Sequence, residues 1–253
     1  MKTIAIVNNK GGVGKTTSAQ NIAVAFARGN KKVLLIDLDA QASLTKCFGL
    51  DLTKILYNSG DFILGLKTLQ EVKVNVQGID LICSDNQLLA KEENIKSTPS
   101  FPVNLRKALK EVQNNYDLVI LDCPPALGGL TKVALVACDY YFIPLQAEYL
   151  SYEGLKNFMN YVSQIQDINP TMVFGGVFAT RYNPKSRTIL SNKLIENAKT
   201  QLDEKLLDSY IRSNIALSEA QALGLDIFSY DENCNGANDY YDLSKEIFKI
   251  ISQ

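Results

Sequence analysis

Short apolar segments alternate with amphipathic segments along most of the chain. Residues 2–8 (KTIAIVN) are short, apolar and β-branched and end at asparagines and glycines, which predicts a buried strand. In residues 16–29 the apolar positions recur every three or four residues and Gly29 supplies a stop, so we predict a helix. Residues 32–37 (KVLLID) predict a second buried strand. Strand, loop, helix and strand together form a βαβ unit.

The same alternation continues to the end of the chain. Further strands are predicted at 79–83, 118–121, 140–144, 172–180 and 207–211, and further helices at 86–95, 103–114, 131–137, 152–168, 187–202 and 238–251. Residues 51–77 mix short helical and turn signals, and we interpret them as a variable surface insertion. Strands that alternate with helices indicate an α/β fold with one doubly wound, mainly parallel sheet flanked by helices. No linker or repeat divides the chain, so a single domain is expected over residues 1–253.

Composition narrows the class of protein. Of 253 residues, 46% are apolar and 21% charged, which is typical of a globular protein with a proper core. The formal net charge is -1, so any DNA-binding surface must be a local patch. The five cysteines are scattered and histidine is absent, which argues against a disulfide framework and excludes histidine-based catalysis. We expect a cytoplasmic protein with no signal peptide and no membrane span.

The glycine-rich segment after the first strand is the strongest candidate functional motif. Without Cβ atoms, its glycines let several backbone N–H groups turn toward one anion, and the following helix N-terminus adds further donors. Lys15 would bridge the β- and γ-phosphates, Thr16 would bind Mg²⁺, and Thr17 would reach the α-phosphate. A glycine-rich turn with a chance lysine is the alternative, but strand and helix lie where the motif requires them. The predicted nucleotide-binding residues are Lys10, Gly11, Gly12, Val13, Gly14, Lys15, Thr16 and Thr17.

One position departs from the usual P-loop pattern GxxxxGK[ST]. Asn9 stands where the first glycine is expected, and Lys10 follows it. Lys10 is either a solvated surface lysine or a residue that reaches across a two-fold interface to the phosphates of a partner's nucleotide.

Three aspartates end two of the predicted strands. Alternation along the strand sends Asp37 and Asp39 to the same side, where they could cap a helix or bind metal. Beside a P-loop, one would orient the attacking water and the other would support the magnesium. Asp122 ends the apolar strand 118–121, where a Walker-B carboxylate is expected to hold Mg²⁺ through water. Its alternative role is that of a turn residue, since two prolines follow. With Asp122 in the magnesium role, residues 124–129 would form a loop that senses the γ-phosphate.

Together these segments resemble the ParA/MinD superfamily of deviant Walker ATPases, and more narrowly the ParA/Soj-type DNA partition proteins. The matching segments are NNKGGVGKTT, VLLIDLDAQASLT, DLVILDCPPALGGLT, FIPLQAEYLSYEGL and ALSEA, and they span most of the chain in the same order. The segment 51–77 and the C-terminal tail match poorly.

The resemblance implies roles for particular residues. Lys10 would act in trans within an ATP-sandwiched homodimer, Lys15 would belong to the P-loop core, and Asp39 would position the hydrolytic water; these three are the predicted catalytic residues. Thr16, Asp37 and Asp122 would form the magnesium site, with ATP and Mg²⁺ as cofactors. ATP-bound dimers of this family coat DNA non-specifically, and a ParB-like partner triggers hydrolysis. The resemblance therefore implies nucleoid association and slow intrinsic turnover.

The DNA-contact surface is predicted in the segment 181–212, which carries more basic than acidic residues. Lys185, Arg187 and Arg212 are the candidate contacts to phosphates, and a solvated helix face is the alternative. The family pattern has an arginine immediately before the LSEA segment, where this chain has Ala216.

Two relatives within the superfamily give alternative functions. A MinD-like positioning ATPase would need a basic amphipathic C-terminal helix, and acidic residues interrupt that pattern here, so a core-packed final helix is favoured and a membrane partner is not expected. A ParA-like ATPase that positions a protein cargo would use the same nucleotide switch.

Overall fold

The computed structural model describes residues 1–146, 152–184, 200, 202 and 205–253. Seven strands form one sheet in the order β3-β4-β2-β5-β1-β6-β7. Their bounds are β1 Lys2–Ile6, β2 Val33–Asp37, β3 Lys73–Val76, β4 Ile79–Ile82, β5 Leu118–Asp122, β6 Tyr140–Gln146 and β7 Val173–Thr180. All neighbours are parallel except β3 and β4, which are antiparallel.

Eleven helices are found in the described part of the chain. They are α1 Lys15–Arg28, α2 Ser43–Cys47, α3 Ser59–Ile63, α4 Leu69–Val72, α5 Leu88–Ser97, α6 Asn104–Glu111, α7 Gly129–Ala137, α8 Tyr152–Gln166, α9 Ile215–Ala222, α10 Ile227–Tyr230 and α11 Asn235–Ile251. Residues 52–54 add one turn of 3₁₀ helix. The predicted helix 187–202 lies almost wholly outside the described residues.

Each strand supplies apolar side chains to both faces of the sheet. In β1, Ala5 packs with the core on the side of α5, α6, α7 and α8, whereas Ile4 and Ile6 pack with the core on the side of α1 and α11. Period-two alternation in fully buried strands explains why these segments read as continuous apolar runs. The predicted doubly wound, mainly parallel sheet is thus confirmed. The single-domain organisation stays a prediction.

The interpretation of residues 51–77 as a surface insertion is wrong for residues 58–76, whereas residues 51–57 do lie at the surface. Phe62, Ile63, Leu69 and Val72 are buried in the main core, and β3 pairs with β4 as the sheet's edge strand. The elements here are only three to five residues long, too short for either periodicity to emerge from the sequence.

The predicted strand 207–211 does not form a continuous ladder. Only two isolated bridges join this stretch to β7, Val177 with Leu206 and Thr180 with Ile211. The N–H groups of Leu207 and Ile211 donate to the Val177 and Ala179 carbonyls of β7, each at 2.8 Å. Those of Asp208 and Ser209 turn away and donate to the carboxylate of Glu246 at 2.9 and 2.8 Å.

Helices α9 and α10 were not predicted from the pattern, although each has an N-cap signal. The Asn214 side chain accepts from the Ala216 N–H at 3.0 Å, and the Asp226 side chain accepts from the N–H groups of Phe228 and Ser229. The final helix α11 begins three residues before the predicted 238. Its apolar face (Tyr240, Leu243, Ile247 and Ile251) is buried against α1 and the sheet, as expected of a core-packed helix.

Candidate nucleotide-binding site

The glycine loop joins β1 to α1 at the carboxyl edge of the sheet. Gly12 and Gly14 adopt φ values of 72° and 91°, which residues with a Cβ rarely adopt. A Cβ at Gly12 would meet no atom within 4 Å, so backbone conformation rather than space demands glycine there. Gly14 is also the N-cap of α1 and brings no side chain, so the first N–H groups of the helix stay available to an anion.

Side chains at the ends of two neighbouring strands hold this loop. The Gln146 amide donates to the Gly12 carbonyl at 2.7 Å, and the Thr180 hydroxyl donates to the Val13 carbonyl at 2.9 Å. Asn8 ties the loop's entrance to β6, since its amide donates to the Pro144 carbonyl at 2.8 Å. Neither Gln146 nor Thr180 was assigned a role from the sequence. The available signal was a polar residue closing an otherwise apolar strand at the ligand-binding edge.

Lys15 lies inside the loop, with only 7% of its surface exposed. Its Nζ donates to the Lys10 carbonyl at 2.8 Å. Burial lowers the pKa of Lys15, and the nearby charge of Asp122 opposes that shift. Lys10 is half-buried, and its backbone N–H donates to the Asn8 side chain at 3.0 Å. The Lys15 ammonium thus joins the entrance of the loop to the start of α1.

Asp37 and Asp122 lie side by side at the ends of β2 and β5, where they are register partners. Asp37 is fully buried and accepts hydrogen bonds from the N–H and hydroxyl of Thr45, at 2.9 and 2.8 Å, and from the Asp39 N–H at 3.1 Å. Burial raises the pKa of Asp37 to about 6, although these hydrogen bonds oppose the rise.

Asp122 is fully buried as well, but neither carboxylate oxygen has a hydrogen-bond partner among the described residues. Burial raises its pKa well above the ordinary value, and the negative charge of Asp37 raises it further; the Thr16 hydroxyl and the Lys15 ammonium act in the opposite direction. A buried carboxylate without donors is costly unless a cation neutralises it.

These groups fit a magnesium ion of the kind that P-loop proteins hold. Mg²⁺ is usually bound by one or two protein groups together with phosphate oxygens and water, not by a protein cage. No cluster of three acidic, cysteine or histidine side chains able to hold a metal is found in the described ranges. The Thr16 hydroxyl and the unpartnered Asp122 carboxylate match the sparser arrangement. Asp37 uses both oxygens in hydrogen bonds, so it fits a supporting position better than direct coordination.

Asp39 stands at the rim of this pair and is partly exposed. One of its oxygens accepts from the Gln41 N–H at 2.9 Å, and its own N–H is anchored on Asp37. The backbone after β2 thus presents Asp39 toward the mouth of the site while Asp37 stays inside.

A cleft of about 420 Å³ opens beside the loop. Val13, Gly14 and Thr17 form one wall, and residues 211–215, 217 and 218 with Gln221 form the other. The Gln221 amide donates to the Thr17 hydroxyl at 2.8 Å, which ties helix α9 to the P-loop helix. The cleft was missed from the sequence because α9 was not predicted.

The loop after Asp122 is held by contacts from two other helices. We call residues 124–129, for which γ-phosphate sensing is predicted, the switch segment. The Gly129 N–H donates to Glu92 of α5 at 2.8 Å, and the Tyr161 hydroxyl of α8 donates to the Gly128 carbonyl at 3.1 Å. Glu92 pairs with Lys96 at 2.9 Å as well. Glu92 and Tyr161 were not singled out from the sequence.

The predicted DNA contacts are only partly described. Lys185 and Arg187 lie outside the described residues. Arg212 forms a bidentate ion pair with Asp239 of α11, and its backbone N–H donates to the same carboxylate at 2.9 Å. Its charge is therefore largely neutralised within the protein.

A doubly wound sheet with a glycine loop, a buried lysine and paired strand-end aspartates at its carboxyl edge defines a P-loop nucleoside-triphosphatase fold and site. A family model described as an AAA domain matches residues 1–174. The chain is 38% identical to the sporulation initiation inhibitor protein Soj of Bacillus subtilis, covering 97% of this chain and 98% of that protein. It is 36% identical to the chromosome-partitioning ATPase Soj of Treponema pallidum, covering 97% and 96%. The chain belongs to the ParA/Soj-type family of partition ATPases.

Solved structures of similar proteins share the fold. Cobyrinic acid a,c-diamide synthase from Mycobacterium smegmatis, crystallised with ADP and magnesium, superposes with a TM-score of 0.87 at 27% identity over 100% of this chain and 96% of that one. A plasmid partition protein from Borrelia burgdorferi gives 0.73 at 29% identity over 99% and 97%. In the described part of the chain no helix is both long and apolar enough to cross a bilayer.

Proposed function

We propose that this protein is a Mg²⁺-dependent ATPase that partitions DNA through an ATP-sandwiched homodimer. The observation that carries the nucleotide part is the buried, unpartnered Asp122 carboxylate beside the Thr16 hydroxyl and the Lys15 ammonium. ATP with Mg²⁺ supplies the cation that this carboxylate needs and the anion that the P-loop needs. The partition part rests on 36% and 38% identity to the two Soj proteins, against 27% to the synthase.

Each proposed contact to ATP has a described group. The N–H groups of residues 11–17 would bind the phosphates, with Lys15 leaving the Lys10 carbonyl for the β- and γ-phosphate oxygens. Asp39, at the mouth, would orient the attacking water. The cleft between Thr17 and residues 211–218 would hold the nucleoside, because it opens directly beside the helix that receives the phosphates. Intrinsic turnover would be slow because the arrangement around Asp39 would be complete only when a partner is bound.

Lys10 is the residue proposed to act in trans. Its carbonyl already accepts from Lys15, so a phosphate that draws Lys15 away would also release the backbone that carries Lys10. Its ammonium would then neutralise phosphate charge in the second subunit, as an arginine finger does.

Light scattering with ATP tests the dimer. Asp39→Ala should bind ATP and accumulate as a dimer, because hydrolysis is blocked, whereas Lys10→Gln should bind ATP yet remain monomeric. Lys107→Gln on the exposed face of α6 serves as the matched lysine control. An Asp39→Ala protein that stays monomeric with bound nucleotide contradicts the sandwich.

DNA binding is proposed to be non-specific, nucleotide-dependent and salt-sensitive, with nucleoid association as its cellular result. Lys185 and Arg187 are the preferred contacts, since Arg212 is engaged by Asp239. A ParB-like partner would stimulate hydrolysis.

Binding to arbitrary duplex DNA should appear with ATP, be absent with ADP, and weaken as salt rises. Binding to anionic vesicles instead would favour the MinD-like function, and nucleotide-dependent capture of a protein without DNA would favour a protein cargo.

The structure of α11 disfavours the membrane alternative. A membrane-bound helix must offer its apolar face to lipid. Here Leu243, Ile247 and Ile251 are buried in the core, so this apolar face would be available to a bilayer only if the helix left the fold.

A further inference from the structure

An apolar groove of about 200 Å³ lies between the end of α1 and the outer face of α11. Ala25, Phe26, Lys31, Tyr241, Lys245 and Phe248 line it. Nothing in the nucleotide chemistry uses this surface. Helix α1 has 14 residues, so at 1.5 Å per residue the groove lies about 20 Å from the phosphate loop.

Two aromatic side chains at the groove are strongly exposed. Tyr241 and Phe248 are 52% and 45% exposed, and they are the only aromatic residues among the exposed large hydrophobic side chains of the described ranges. The Phe248 ring packs edge-on against Phe26 with 6.1 Å between the ring centroids. That contact keeps the groove preformed, which lowers the entropic cost of filling it.

Two lysines stand over these rings. The Lys31 ammonium lies 5.4 Å from the centroid of Phe248, and that of Lys245 lies 4.1 Å from the centroid of Tyr241. Each stem covers apolar surface while the charge stays at the rim. The groove is therefore an apolar recess with a positive border.

Two acidic residues of the same helix, Asp239 and Glu246, are engaged by groups that do not line the groove. Asp239 binds Arg212, and Glu246 accepts from the N–H groups of Asp208 and Ser209. Glu232, in the loop between α10 and α11, is paired with Arg28 at 3.3 Å. Lys31 and Lys245 thus keep their positive potential toward an incoming ligand.

We propose that this groove docks an acidic segment of a partner protein. The segment would insert one aromatic or branched apolar side chain against Phe26 and Phe248 and place aspartates or glutamates on either side, near Lys31 and Lys245. Aromatic anchors in a preformed recess supply most of the affinity at such sites, and complementary charge at the rim supplies orientation and speed of association. A recess suits an inserted side chain, whereas a lipid surface is bound by apolar groups that protrude. The proposal does not depend on DNA partition, because the groove is separate from the nucleotide site.

A displayed library of short random peptides, selected on the full-length protein, tests the proposal. Selected peptides should carry Asp or Glu on both sides of an aromatic or branched residue. The double variant Lys31→Glu/Lys245→Glu should weaken binding of the leading peptide by at least about tenfold, and added salt should weaken binding to the wild type. Ala25→Phe, which fills the recess without changing charge, should weaken it as well. ATP binding and basal hydrolysis should stay unchanged in these variants, so a failure here is distinguishable from a failure of the proposed ATPase function.

Lys107→Glu/Lys110→Glu on α6 is the control, because it makes the same charge change on an exposed helix elsewhere. The proposal is overturned if selection on the wild type enriches no peptide more strongly than selection on the groove variants does. It is also overturned if the α6 control weakens peptide binding as much as the groove variants do. Enrichment of basic peptides overturns it too. So does binding to phosphatidylglycerol vesicles that the groove variants lose, because the occupant would then be lipid.

Discussion

When nucleotide and metal are withheld, the buried carboxylates should make the protein more stable in mild acid than at neutral pH. Burial raises the pKa of Asp37 from 3.8 to about 6 and that of Asp122 in the same direction. A carboxyl whose pKa is higher in the folded state stabilises the fold below its unfolded pKa, and this stability is lost as pH rises through the folded value. Histidine, which normally titrates in this window, is absent from the chain, so the window between about pH 5 and pH 7 reports on these carboxylates.

The magnitude follows from the Asp37 values. A rise from 3.8 to about 6 corresponds to about 3 kcal/mol of folding free energy between the fully protonated and fully ionised limits. Between about pH 7 and pH 5 only part of this is recovered, and the expression for one titrating group gives about 1 kcal/mol. Asp122 adds to the effect in the same direction, since its pKa is also raised.

Urea denaturation without nucleotide and with a chelator measures this directly. The free energy of unfolding should rise by at least about 1 kcal/mol as pH falls from about 7 to 5. Asp37→Asn should flatten that slope, because the amide does not titrate, and saturating Mg²⁺ and ATP should flatten it in the wild type, because a bound cation stabilises the ionised forms. A wild-type stability that is flat or increases with pH, or an Asn variant with the full slope, would refute the reasoning.

Three further outcomes follow from single contacts. Glu92→Ala should raise amide hydrogen exchange across the switch segment, because the Gly129 N–H loses its acceptor, while Glu92→Gln should preserve most of the protection. Gln146→Leu should weaken ATP binding about tenfold in calorimetry by freeing the Gly12 carbonyl, and unchanged affinity would show that the loop holds its shape alone. Gly224→Ala should lower stability by more than about 1 kcal/mol in urea, because its Cβ would lie 2.6 Å from the Gly49 Cα at φ +70°; an unchanged midpoint would mean that the two turns can separate.

The sequence predicted the framework of the fold because the central strands carry a strong local signal. In β1, β2 and β5 every position after the first is apolar or buried, and each run ends at a recognisable residue: the glycine loop, Asp37 or Asp122. Local pattern and global fold agree there, so the order of elements could be read directly.

Residues 51–77 show where local pattern fails. Their burial depends on distant partners: Asn58 donates to Asp85 at 2.6 Å, and Lys91 pairs with Asp61 at 2.5 Å. Side chains that look like surface polar residues are in fact joined into a partly buried network between α3 and α5. No spacing within the segment encodes those contacts.

The candidate site divides in the same way. The P-loop and strand-end aspartates are local motifs and were found from the sequence. Gln146 and Thr180 support the loop from positions more than a hundred residues away, so only the parallel pairing of β1, β6 and β7 brings them together. Arg212 looked like a free basic residue because its partner, Asp239, lies on another element.

The edges of the sheet bear on how two copies can associate. At one edge the short β3 runs against its neighbour and carries Lys73, whose ammonium bonds Asp80. At the other, the bridges of Leu206 and Ile211 occupy part of β7. A short, charged strand and a partly covered strand are both poor templates for strand addition, a route by which open sheets aggregate. Self-association by continuing the sheet is thereby discouraged at both sides, so it would not compete with the proposed nucleotide-controlled dimer.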